Sequence, residues 1–294
     1  MGIYLGSTPV SLYAGGKIVE TVSGTYVWSK HESENSPILD YVVGEKYYDY
    51  PSNGYYNGFY YKKVINGLPY LSFVGNEDFT LKTYNTTKNW DGTLEYSTDT
   101  STWTTWDGTE ISSAGSKLYL RGTGNTKIAG NDENYRFVFT GTSALKIACE
   151  GNIENLLDYT IVSSGNHPGM GTYCYDGMFY GCTSLTTAPE LPATTLAVSC
   201  YNGMFYGCTS LTTAPELPAT TLADYCYYYM FNGCTKIKLS TTKTGEYQTE
   251  YRIPKSGAGT NATNALDAMF LDTGGTFTGT PEINTTYYTS NTVV

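Results

Sequence analysis

The sequence predicts a mainly β chain with short helices: N-terminal β modules followed by a short solenoid of strand-plus-helix turns with a degenerate C-terminal cap. Three observations predict it. Thr is abundant, and 32 Gly and 30 Tyr stand in a chain of 294 residues of which only 15% are charged. Such usage favours strands and tight turns over long helices or a coiled coil. The stretch Tyr201–Ala223 nearly copies Tyr175–Ala197, a shift of 26 residues (204 − 178, at the two Met), and a third copy opens at Tyr227. Within each copy the apolar residues stand four apart, which reads as the buried stripe of a helix.

In chain order, residues 1–25 carry a short apolar start, Ile3, Tyr4, Leu5, Val10 and Leu12, closed by Gly15-Gly16. They are too few to fold alone and suit a docking segment. Residues 26–77 are dense in Tyr, from Tyr47 to Tyr70, broken by Gly and Asn. They form either a small β module or a Tyr-rich binding surface, since Tyr offers a rigid face at low entropic cost. Residues 78–150 alternate like strands, and Trp90-Asp91-Gly92 and Trp106-Asp107-Gly108 carry turn chemistry. A β-sandwich-like domain follows, its Trp read as packing residues with a sugar platform as the alternative.

Residues 151–272 hold the solenoid. Met170, Cys174, Met178 and Cys182 recur as Leu196, Cys200, Met204 and Cys208, then as Leu222, Cys226, Met230 and Cys234. Thr194 and Thr195 are plausible N-caps and Gly207 a C-cap. Thr-Ser-Leu-Thr-Thr-Ala-Pro then supplies a short strand that proline ends. One strand and one short helix per turn is the anatomy of a leucine-rich-repeat solenoid. The Cys columns follow the core stripe, and with the odd Cys149 they favour buried, reduced thiols over disulfides. A strand hairpin around Lys243-Thr244-Gly245 interrupts the array. Ala262, Leu266 and Phe270 then form a capping turn, and 273–294 is a loop-rich tail.

A formal net charge of −10 and a pI near 4.7 exclude phosphate-driven nucleic-acid binding. No apolar run is long enough to span a bilayer, and the start does not read as a secretory signal. Only His31 and His167 are present, with no zinc, nucleophile-elbow or P-loop motif, so no catalytic residue, metal or cofactor is expected, although a carboxylate pair of the glycosidase kind can be assembled from anywhere in a fold and a depolymerase stays open as the least favoured alternative.

The copied segment Met204-Phe-Tyr-Gly-Cys-Thr-Ser-Leu-Thr-Thr-Ala-Pro-Glu-Leu-Pro resembles the BspA-like leucine-rich repeats of bacterial surface proteins, especially of gut bacteria. Leu94–Asp99, Lys117–Gly124 and Gly151-Asn152-Ile153 look like the β-domain that precedes such repeats. Ile3–Val10 and Gly24–Lys30, with Leu39–Val43, resemble openings of tailed-bacteriophage structural proteins. Together the resemblances imply a non-enzymatic virion protein, a tail or head fibre, made in the host cytoplasm and exposed on the virion exterior. It would attach to other virion proteins through Ile3, Tyr4, Leu5, Val10 and Leu12 and bind a bacterial surface or mucus glycan or protein. A purely structural capsid decoration or head–tail accessory is the alternative, and a bacterial surface adhesin the second. A homo-oligomer stays open, although no heptads enforce a trimer. Candidate receptor-binding residues are the outward positions beside the stripe: Asp176, Tyr180, Asn202, Tyr206, Tyr228 and Asn232.

Overall fold

The computed structural model describes residues 68–130 and 135–290 in full, and before them the backbone of six strands. Residues Met1–Leu68 and Pro69–Val294 form separate compact units. In the first, β1 (Val10–Ala14) pairs antiparallel with β2 (Lys17–Val22). Strands β3 (Thr25–His31), β4 (Asp40–Tyr41), β5 (Asn53–Tyr56) and β6 (Phe59–Asn66) make a sheet of order β4-β3-β6-β5. The docking candidates Ile3, Tyr4 and Leu5 lie outside the described residues. Val10 and Leu12 fall in β1, whose side chains also lie outside them, as do those of the Tyr-rich stretch before Tyr70.

In the second unit, β7 (Leu71–Gly75), β8 (Thr80–Thr83), β9 (Thr93–Ser97), β10 (Thr104–Trp106), β11 (Ile111–Ser112), β12 (Lys117–Thr123), β13 (Phe137–Thr140) and β14 (Ile147–Glu150) precede the copied segments. One sheet runs β10-β9-β12-β7-β14 and ends on β15 (Leu185–Thr187), while β11-β8-β13 form another. Period-two alternation buries Leu118 and Leu120 of β12 and Leu81 of β8. Phe73 of the larger sheet meets Phe137 and Phe139 of the smaller at 6.4 and 5.1 Å between ring centroids. Trp90 and Trp106 stack on each other at 5.1 Å, both buried, so they are packing residues and no sugar platform. Their aspartates act differently: Asp107 braces its own turn, and Asp91 ties its loop to a distant one. Asp91 accepts the Thr126 N–H and hydroxyl, and Asp107 accepts those of Thr109. Helix α1 (Asn155–Ser163) follows. It breaks at the extended Asp158, whose carboxylate caps the second half by accepting the Thr160 and Ile161 N–H groups.

The copied segments overturn the expected leucine-rich-repeat solenoid of strands and short helices. No α-helix forms between 170 and 273, where the strands are β15 and the inserted β16 (Leu239–Ser240) and β17 (Tyr247–Arg252). Strand β18 (Thr286–Ser290) lies between β16 and β17. The apolar stripes run instead through successive tight turns. Asp176, Met178, Tyr180 and Cys182 each donate an N–H to the carbonyl three residues back. The residues between them, Tyr175, Gly177, Phe179 and Gly181, donate to Cys200, Asn202, Met204 and Tyr206 of the next copy. The pattern continues from the second copy to the third, and from Tyr227, Tyr229, Phe231 and Gly233 to Ala265, Asp267, Met269 and Leu271. Thr194, Thr195 and Gly207 therefore cap no helix.

The physical reason lies in the spacing. A helix turns ~100° per residue, so a stripe of strict four-residue spacing drifts about 40° at each step. A chain of four-residue turns does not drift. It needs one left-handed residue per turn, and glycine supplies it most cheaply. Positive φ falls on Gly177 and Gly181, on Gly203 and Gly207, and on Gly233. Tyr173, Ser199, Tyr225, Tyr229, Asn264, Ala268 and Asp272 fill the remaining fourth positions.

This geometry stacks like on like. Phe179, Phe205, Phe231 and Phe270 form one column with centroid spacings of 5.6, 5.5 and 5.3 Å. Tyr175, Tyr201 and Tyr227 form another at 5.4 and 5.9 Å. All seven cysteines are free and buried. The Cys208 and Cys234 thiols donate to the Phe179 and Phe205 carbonyls, and burial pushes Cys182 up to about 11 and Cys234 up to about 12. The core runs from Leu71 to Tyr287 as one cluster.

Candidate functional site

The residue after each buried aromatic faces outward, and so do the left-handed Tyr225, Tyr229, Gly181, Gly207 and Gly233, whereas the left-handed Gly177 and Gly203 are buried. Asp176, Tyr180, Asn202, Tyr206 and Tyr228 each follow a buried aromatic and are half-buried. Asn232 does not join them. It is 5% exposed, because its short amide stays below the surface that tyrosine reaches at the same place in the other copies.

The structure brings the tyrosines into one strip. Tyr180 and Tyr206 stack at 4.7 Å with planes 5° apart. Tyr206 meets Tyr229 edge-on at 6.4 Å, Tyr229 meets Tyr228 at 4.1 Å, and Tyr228 meets Tyr225 at 5.6 Å. A hydrogen bond to Tyr229 raises the Tyr228 phenol to about 12. Tyr225 and Tyr229 escape a reading of stripes alone, because both sit at left-handed positions. The signal was present: Tyr227-Tyr228-Tyr229 stands where the second copy has Tyr201-Asn202-Gly203. The Tyr229 side chain there is half-buried within the strip.

Asp176 and Asn202 lie beside the strip, with Asn202 Nδ2 donating to Asp176 Oδ2 at 3.3 Å. Burial raises the Asp176 carboxyl to about 7, and the Asn202 bond opposes it. At its first-copy end the strip opens on a cleft of about 400 Å³. Tyr84 and Arg136 line it together with Tyr180. The Arg136 guanidinium lies 3.9 Å over the Tyr84 ring and 5.9 Å from that of Tyr180. Neither residue is readable from the copied segments, since β8 and β13 deliver them from far along the chain.

A second cleft, of about 530 Å³, has a floor of Pro189, Leu191, Pro192, Pro215 and Pro218. On its rim Lys255 pairs with Glu216. His167 lines it too, its Nδ1 2.7 Å from Oε2 of the buried Glu154. Burial raises that carboxyl, against the pull of His167. Among the described residues no group of three or more His, Cys, Asp or Glu is placed to hold a metal ion, and no helix is long and apolar enough to cross a membrane.

No family model matches the chain, and neither a curated protein nor a solved structure matches it.

Proposed function

We propose that this chain is a non-enzymatic binding protein of a phage virion that engages a bacterial surface or mucus glycan or protein through its tyrosine strip. The observation that carries the reading is the strip itself, Tyr180, Tyr206, Tyr229, Tyr228 and Tyr225 in edge-to-face or stacked contact at the surface. Rings held by one another lose little entropy on binding, and each presents an apolar face with a polar tip. Asp176 and Asn202 add hydrogen-bonding groups at the edge. Attachment to a virion rests on the resemblance of Ile3–Val10 and Gly24–Lys30 to phage structural openings, and the outward presentation of the strip is compatible with it.

The test replaces Tyr180, Tyr206 and Tyr228 with Ser and measures attachment to a panel of gut bacterial isolates and to mucin-coated surfaces. Folding should survive, because none of the three belongs to the buried columns. Attachment should weaken by about 1–2 kcal/mol, the scale of a lost aromatic hot spot. A folded triple variant that attaches like the parent chain removes the strip from the account.

A further inference from the structure

We infer that the third copy holds a subsite for one neutral sugar ring, seated in the notch that Asn232 leaves in the tyrosine column. The inference rests on the binding role proposed above and names the class of ligand.

The first argument is register. The Gly181, Gly207 and Gly233 N–H groups donate to the Tyr206, Asn232 and Leu271 carbonyls, so Tyr180, Tyr206, Asn232 and Leu271 occupy one place in four successive segments. Tyr180 and Tyr206 stack at 4.7 Å in this column, and the stack stops where Asn232 stands in place of a third ring. The buried Phe column beside it continues through the same segments, from Phe205 to Phe231 to Phe270, in steps of 5.5 and 5.3 Å. Two such steps separate Tyr206 from Leu271, which is 39% exposed. With contacts of ~3.5–4.0 Å to each wall, that interval admits a single ring. Tyr229 stands at its flank, edge-on to Tyr206 at 6.4 Å and hydrogen-bonded to Tyr228.

The second argument is the amide at the base of the notch. Asn232 is only 5% exposed, yet its side chain makes no hydrogen bond to a described residue. The Asn202 amide, by contrast, donates to Asp176. A primary amide offers two N–H donors and a carbonyl acceptor, and leaving them unanswered below the surface costs stability. Neighbouring hydroxyls of a pyranose answer both, one accepting and one donating. The Tyr206 face and Leu271 meet the C–H faces of the same ring. Tyr206, Tyr229, Asn232 and Leu271 carry no charge, and Asp272 adjoins Leu271 in the chain, so an anion is disfavoured. A bare aromatic ring would fill the space and leave the amide unanswered. An open polyol would answer the amide and leave the walls uncovered.

The experiment titrates the full chain with the methyl pyranosides of glucose, galactose, mannose and N-acetylglucosamine, and with glycerol and p-cresol as the open polyol and the flat ring. At least one pyranoside should bind about tenfold more tightly than glycerol or p-cresol, the scale of one hydrogen bond. Asn232→Leu should weaken that binding about tenfold. Asn232→Tyr, which places in the third copy the residue that the first two carry, should abolish it. Both variants should unfold at the parent's thermal midpoint or above, because neither leaves the amide unbonded. Failure of every pyranoside to bind overturns the subsite, and so does binding that both variants leave unchanged. Loss of binding together with a lowered midpoint in both variants makes Asn232 structural and overturns its role in recognition. p-Cresol binding as tightly as the pyranosides overturns the sugar and points to an aromatic side chain of a protein partner. Each of these failures leaves the strip's role standing, whereas failure of the strip shows separately, in the cell-attachment assay of the triple Tyr variant.

Discussion

The sheet region before α1 and the turn region after it bury comparable cores by opposite uses of the backbone. In the sheets, strand N–H groups pair across to neighbouring strands, and side chains alternate with period two. In the turns, one N–H closes a turn within its own segment and the next reaches the adjacent segment, so the core repeats every fourth residue. Glycine serves a different need in each. In β12, Gly122 is required for space, because a Cβ there would overlap the Leu156 carbonyl of α1. In the turns, Gly181 is required for φ, at +69°, with open space around it. The difference teaches that a pattern of buried residues specifies a core without specifying the backbone that carries it.

The largest test of the comparison is Met204→Asp. Met204 is fully buried in the middle copy, and an unpaired charge there should cost about 4–5 kcal/mol. Urea unfolding should show the loss, and a wild-type midpoint would contradict the four-residue stripe. Next, Gly122→Ala should cost about 3 kcal/mol through overpacking, and Gly181→Ala about 1–2 kcal/mol through left-handed strain alone. Equal losses in thermal unfolding would erase the distinction between space and φ.

A smaller effect is expected at Asp176. Its folded carboxyl is pushed up to about 7 because burial disfavours the charge, well above the ordinary carboxylate value of 3.8. The folded state therefore binds the extra proton between about pH 4 and 7, and stability contributed at low pH is lost as pH rises through about 7. Asp176→Asn should flatten this slope and stabilise the chain at pH 8 by about 1–2 kcal/mol, since water reaching the half-buried side chain screens part of the penalty. Unchanged pH dependence of the unfolding midpoint would contradict it. The smallest effect is Ala268→Gly. Ala268 holds φ at +49°, so glycine should gain about 0.5 kcal/mol, strain relief exceeding its entropic cost. A destabilised variant would show that φ is not what governs the fourth position.

Much of the turn region's interior was legible. Met178, Cys182, Met204 and Cys208 stand out as buried because their spacing is strict, and all are in the core. The backbone was misread because four-residue spacing serves a helix and a turn chain alike. Gly177 and Gly203, inside the supposed helices, were the contrary signal, since mid-helix glycine costs ~1 kcal/mol. At the candidate site, Tyr180, Tyr206 and Tyr228 were legible as outward positions. Asn232 was not, because side-chain reach rather than register decides its burial. Tyr84, Arg136 and Lys146 were illegible, since only the packing of β8, β13 and the loop before β14 on the first copy brings them to Tyr180.

The columns of parallel rings also have a spectroscopic consequence. Each phenylalanine from Phe179 to Phe270 lies over the face of its neighbour at 5.3–5.6 Å, so its ring protons sit in that neighbour's shielding cone. Their resonances are displaced upfield, most for Phe205 and Phe231, which are covered on both faces. Separation of any two adjacent segments returns only the rings at that junction to ordinary positions. The chain thus carries an internal chemical-shift gauge that reports which junction opens first.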